Sequence, residues 1–282
     1  MAITPVDLSV TNITATSVRL NWVAVDALQA LINSLFSAGE QGAIYIPMPI
    51  VNGSQALFQD SAGTVPVTAD GDPVGLMLDQ SGNGNHAVQT VSAKRLIYRT
   101  DGTLHWFENS GTGQYIQTPS IDFTGTDKMT VCAGIRKLSD SESGVVLELS
   151  SNSGTNDGAF ILLAPAASGL RKLDYRSNGN TQASAFITSG FEAPVSLVVL
   201  GISIIPEDVC ILRANGSQVA SSTNDQGTGS YGSYPAYIGA REGFVAPFTG
   251  NIYSLVIRGA QTNLSDLNSL EHYTAELTGV TL

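Results

Sequence analysis

Charge is scarce in this chain. Only 13% of its 282 residues are Asp, Glu, Lys or Arg, about half the usual share. Basic residues are fewest, 13 against 24 acidic ones, a net charge of −11. That balance lacks the positive footprint that nucleic acid or an anionic membrane surface demands. Cysteine is limited to Cys132 and Cys210, too few for a disulfide framework. Neither has a histidine at zinc-ligand spacing, so both read as small buried core residues in a chain suited to a reducing compartment. Long apolar runs are absent too. The longest, Val195 to Ile205, is too short to cross a bilayer. The opening MAITPVDLSV has no basic stretch followed by an apolar one, so no secretory signal is expected.

Hydrophobic residues reach 43% and glycines number 29. A real core is therefore available, and the solvated surface falls to Gly, Ser, Thr and Asn. Short apolar runs recur from Ala43 onward between clusters of turn residues. They are Met129–Lys137, Val145–Leu149, Ala159–Leu163, Leu170–Arg176, Ala183–Ile187, Val195–Ile205, Val209–Ala214, Ser217–Ala220, Ala236–Gly239 and Ile252–Arg258. This spacing predicts an all-β, two-sheet antiparallel jelly-roll sandwich. Asn215-Gly216, between CILRA and SQVAS, is the strongest hairpin signal, because both residues tolerate positive φ. Val195–Ile205 is apolar on both faces and predicts a central strand covered on each side.

Two helices flank the β-rich body. Leu28, Leu31, Ile32, Leu35 and Phe36 form one stripe, with Asp26 as N-cap and Gly39 beyond the end. Leu267, Leu270, Tyr273 and Leu277 form another, with Ser265 as the cap and Gly279 as the stop. Residues 1–25 read as a separate arm of two short strands, in which Leu8 and Val10, then Val18, Leu20 and Trp22, alternate. Residues 26–282 form the main domain. LSVTNITATSVRLNW in the arm resembles the opening strands of a fibronectin type III domain, without the rest of one.

The run LFQDSAGTVPVTADGDPVGLMLDQSGNGNHAVQ (Leu57–Gln89) resembles a segment of tailed-phage and prophage proteins with a laminin-G-like, concanavalin A-like lectin/glucanase jelly roll. Matching stretches follow in order at Leu31–Ala43, Tyr98–Glu108, Ser120–Asp140, Val146–Gly158, Leu212–Gly243, Pro247–Ala260 and Thr278–Val280. The resemblance covers roughly residues 28–282. It implies a virion protein of the tail, a fibre or the capsid exterior, assembled in the bacterial cytoplasm. Its implied partners are other virion subunits, further copies of itself and host-surface glycans, without nucleic acid or membrane insertion. The sequence departs from relatives at AIYIPMPIVNGSQ (Ala43–Gln55) and WFENSG (Trp106–Gly111), where they carry further carboxylates.

Chemistry is weakly signalled. Glycoside hydrolysis needs two carboxylates flanking the bond, and the Glu-x-Asp-x-x-Glu string of glucanases with this fold is missing; Glu148 stands alone on its strand. No Ser lies in a G-x-S-x-G elbow, and His86, His105 and His272 are scattered over a loop, a strand and a helix. The two G-x-G-x-x-G/A strings, at Gly82 and Gly227, are followed by extended text, so they read as turn glycines. No catalytic residue and no cofactor are expected. Asp79, Ser81 and Asn83 imitate the first half of a calcium loop, but Thr90 occupies the position of the closing carboxylate. The competing reading is a tight Asx turn. For a sugar, the candidates are Tyr231 and Tyr234 beside Asn224 and Asp225; the competing reading is strand-end packing. A lectin-like virion protein with weak glycan binding is the favoured function. A decoration or assembly module without a ligand is the alternative.

Overall fold

A computed structural model describes residues 27–152, 155–241 and 245–282. The arm, the cap at Asp26 and Trp22 lie outside the described residues. Helix α1 occupies residues 27–36. In chain order the strands are β1 (Gly42–Tyr45), β2 (Ile50–Val51), β3 (Ser54–Gln55), β4 (Leu57–Phe58), β5 (Pro73–Val74), β6 (Leu76–Met77) and β7 (Ala87–Val88). Longer strands follow, namely β8 (Leu96–Thr100), β9 (His105–Ser110), β10 (Ile116–Asp122), β11 (Lys128–Lys137), β12 (Val145–Leu149), β13 (Phe160–Leu163) and β14 (Leu173–Asn178). The last are β15 (Gln182–Ile187), β16 (Val195–Ile204), β17 (Val209–Ala214), β18 (Ser217–Ser222), β19 (Ser233–Ile238) and β20 (Thr249–Arg258), before helix α2 (Leu264–Thr278).

Two antiparallel sheets stack face to face. The first runs β18-β17-β16-β11-β20-β9-β8-β5, with β1 also paired to β20; the second runs β15-β14-β13-β12-β19-β10-β7-β6-β4. The jelly-roll expectation is therefore met. Alternation sorts the side chains. Leu197, Val199, Val131, Ile257, Leu162, Tyr175 and Ile238 point between the sheets and share one core. Their neighbours Val198, Leu200, Cys132 and Val256 point to the other side of the first sheet, where Leu31, Leu35, Leu267 and Leu270 of the two helices cover them. Strand β16 thus lies between two apolar layers, as its doubly apolar sequence predicts.

Arginines pin both helices to this sheet. Arg258 on β20 donates from Nε to the Leu35 carbonyl at 2.6 Å and from Nη2 to Glu40 at 2.6 Å. This places a cation at the C-terminal end of α1, where the helix dipole favours it. Arg213 on β17 makes a two-pronged contact with Glu271 of α2, at 2.9 and 2.8 Å.

Local details follow the sequence in part. Asn215 and Gly216 have φ of 46° and 76° and close the β17–β18 hairpin as a turn of that type requires. The N-cap of α2 is Asn263, whose side chain accepts from the Asp266 N–H; it replaces Ser265, which falls inside the helix. Strand β14 begins at Leu173 rather than Leu170, because Ala166 and Arg171 already bridge in the preceding turn. Cys132 and Cys210 are free and buried. Burial pushes both thiols up to about 12, so at neutral pH neither is a nucleophile.

Candidate functional site

The helices cover one outer face of the sandwich. The opposite outer face belongs to the second sheet, and the strand register lays a row of side chains across it. Val88, Gln117, Tyr237, Glu148, Ile161, Arg176 and Ser184 are successive cross-strand partners on β7, β10, β19, β12, β13, β14 and β15. Seven strands at the usual separation make the row roughly 29 Å long.

One part of this face is charged. Glu148 is fully buried, and the Arg241 Nε–H donates to both its oxygens at 2.9 Å. Ser150 Oγ donates to Glu148 Oε1 at 2.7 Å. On β14, Asp174 is also fully buried. Its Oδ2 accepts from Arg171 Nη1 at 2.8 Å and from Arg176 Nε at 2.9 Å, and its Oδ1 accepts from Ser184 Oγ at 2.6 Å. The Arg171 guanidinium lies 3.7 Å from the centre of the Phe186 ring, a cation–π stack. Three guanidiniums thus face two carboxylates, a local surplus of one positive charge in an acidic chain. Both carboxylates are held by arginine and serine donors, an arrangement that braces a surface rather than one aimed at a glycosidic bond.

The other part is a shallow hollow of about 290 Å³ over β7 and β10, lined by Val88, Thr90, Val91, Tyr115, Gln117 and Pro119 among others. Apolar side chains beside an amide and a phenol ring are the mixture that binds a sugar's CH face and its hydroxyls. A larger groove of about 390 Å³ lies on the helical side, between α1 and α2, with Ala30, Ser34, His272 and Glu276 in its walls.

The residues suggested by sequence fare differently. Tyr231 is only 1% exposed, and this corrects its assignment as a sugar platform. Its hydroxyl bonds Ser177 at 2.7 Å and Ser203 at 2.6 Å, and its ring meets Phe160 edge-on. The Gly-Ser context suggested exposure, but the ring turns inward to fill the core, and burial pushes its phenol up to about 12. Tyr234 is half-buried against the same core, with its hydroxyl donating to the Asp157 carbonyl. Asn224 and Asp225 are exposed; the Asp225 carboxylate accepts from the Gly227 N–H and shapes its own turn.

In the calcium-like turn the side chains have partners within the protein. Asp79 Oδ1 accepts from the Ile44 and Ser81 N–H groups, and Oδ2 accepts from Ser81 Oγ and the Asn85 N–H. Ser81 Oγ and Asn83 Nδ2 reach the Gly42 carbonyl. The carboxylate is filled by donors that tie this turn to β1, which is the Asx-turn reading. Among the described residues no group of three His, Cys, Asp or Glu side chains could hold a metal ion. No helix of the described residues is long and apolar enough to cross a membrane.

Sequence reading overlooked the two arginine–carboxylate clusters. Asp174 and Arg176 stand two apart on one strand and so share a face, which was the available signal. Arg241 approaches Glu148 from 93 residues away, and no local pattern announces that.

Comparison with solved structures finds a similar fold in binding domains of toxins. The botulinum neurotoxin serotype D binding domain superposes with a TM-score of 0.56 at 12% identity, covering 85% of this chain and 53% of that one. The serotype D ligand binding domain in complex with N-acetylneuraminic acid gives 0.56 at 11% identity, covering 87% and 52%. The serotype G binding domain gives 0.52 at 14%, covering 71% and 49%. This chain therefore spans about half the length of those structures, and at such identities the likeness is one of fold. A search of curated proteins found no match. A family model described as the concanavalin A-like lectin/glucanases superfamily (Laminin_G_3) matches residues 110–260, a stretch running from the end of β9 past the end of β20. The chain belongs to the concanavalin A-like lectin/glucanases superfamily.

Proposed function

We propose that this chain is a non-enzymatic carbohydrate-binding protein of a phage particle, carried on the tail, a fibre or the capsid exterior. The observation that carries the binding part is the asymmetry of the sandwich. Two helices cover the outer face of the first sheet, while the second sheet's outer face holds braced arginines, a stacked aromatic ring and a mixed polar–apolar hollow. The phage context is supported by the resemblance of Leu57–Gln89 and the ordered stretches after it. The toxin domains lend the fold and nothing more. The absence of enzymatic activity is supported by the bracing of Glu148 and Asp174, since a glycosidase needs one carboxyl to give up a proton and another to attack or activate water.

A shallow surface binds sugar weakly, and many copies on one particle raise the apparent affinity without new contacts. Residues 1–25 are the proposed attachment to neighbouring virion subunits, by strand addition. The reading is tested on a glycan array with the protein multimerised on beads. Binding to a restricted set of bacterial surface glycans is expected, and competition by free glycan should abolish it. Consistent silence on the array would favour the decoration or assembly module, and release of reducing sugar would reverse the non-enzymatic reading.

A further inference from the structure

We propose that the second sheet's outer face selects glycans bearing a carboxylate, held between Arg171 and Arg176. This rests on the glycan-binding reading above and names the ligand class. The hydrogen bonds that Arg171 makes leave from Nη1, to Asp174 and Ser184. Those of Arg176 to Asp174 leave from Nε and Nη2. Each guanidinium is thus fixed by one edge while its side chain stays 29% and 22% exposed, respectively. Guanidinium edges match a carboxylate in two-pronged geometry. Asp174, with no exposed surface, aligns both groups before any ligand arrives, which lowers the ordering cost of binding. Phe186 is 40% exposed, so its ring both supports Arg171 and offers an apolar edge for a sugar ring. The surplus positive charge of this face stands out against a chain of net charge −11 and favours an anionic ligand here.

Sialic and uronic acids both supply such a carboxylate, and the experiment has an arm for each. The full chain is titrated with α2,3-sialyllactose, with trigalacturonate and with uncharged lactose. One of the two acidic sugars is expected to bind about tenfold or more tightly than lactose, the scale of one charge-assisted hydrogen bond. Arg171→Gln should remove that preference, bringing the acidic sugar down to the affinity that the same variant has for lactose. Arg176 still holds Asp174 in this variant, so the fold should survive. Phe186→Leu gives a second readout at an exposed position, with a severalfold loss for the acidic sugar that exceeds the loss for lactose, because the ring also supports Arg171. Equal affinity for acidic and neutral sugars, or a preference untouched by both substitutions, would overturn the proposal and leave glycan binding standing. Failure of all three sugars together with an empty glycan array would overturn both.

Discussion

Replacing Arg241 by Met destabilises the fold by about 3–5 kcal/mol, because it leaves a buried carboxylate without its counter-charge. Glu148 has no exposed surface, and with the guanidinium gone Ser150 is the side-chain donor left to it among the described residues. A charge so placed regains its hydration only if the side chains that cover it move aside. Urea unfolding at neutral pH measures the loss. The double variant Glu148→Met with Arg241→Met should recover most of it, since replacing both members of a buried pair removes the desolvation cost as well as the attraction. A loss under about 1 kcal/mol for the single variant, the range of surface pairs, would mean that water reaches Glu148 and that the face is open rather than braced.

The second large effect lies between the sheets. Gly201 on β16 sits against the ring of Tyr175, and a Cβ added there would lie 2.5 to 2.7 Å from three ring atoms. The ring has nowhere to retreat. Tyr175 is fully buried, its hydroxyl is bonded to Ser203 at 2.8 Å, and Phe160 packs 6.5 Å away, centroid to centroid. Gly201→Ala is therefore expected to cost about 3 kcal/mol, the upper part of the overpacking range. Gly125→Ala is the control. Nothing lies within 4 Å of its Cβ position, so its effect should stay within about 0.5 kcal/mol. Comparable melting temperatures for the two variants would show that the two sheets are farther apart at this point than the ring contact requires.

How much was legible follows from where each signal resides. Strands of five residues or more leave an alternating or doubly apolar trace, and the long ones, β11, β16 and β20 among them, are where that trace predicts. The six two-residue strands from Ile50 to Val88 are too short to alternate and are formed by pairing alone. Asn215-Gly216 was readable because its turn is a property of two adjacent residues. Asp79, Ser81 and Asn83 were ambiguous because oxygen atoms at alternate positions serve an Asx turn and a cation equally well. In the structure Asp79 also accepts from the Ile44 N–H, 35 residues upstream in sequence. Tyr231 was misjudged for a similar reason: its neighbours are small and polar, yet Ser177 and Ser203 give its hydroxyl partners inside the core. The charged clusters of the second sheet were the largest omission. Single carboxylates and arginines on strands read as solvated until the register places them side by side.

The central claim is that recognition occurs on the outer face of the second sheet, opposite the helices. Amide chemical-shift mapping during the sialyllactose and trigalacturonate titrations tests it most directly. The account predicts shifts concentrated at outward-facing positions of that sheet, Gln117, Arg176, Ser184 and Phe186 among them, with Ser34 and His272 in the helical groove unmoved. Shifts confined to that groove, or to the turn around Asn224 and Asp225, would contradict it.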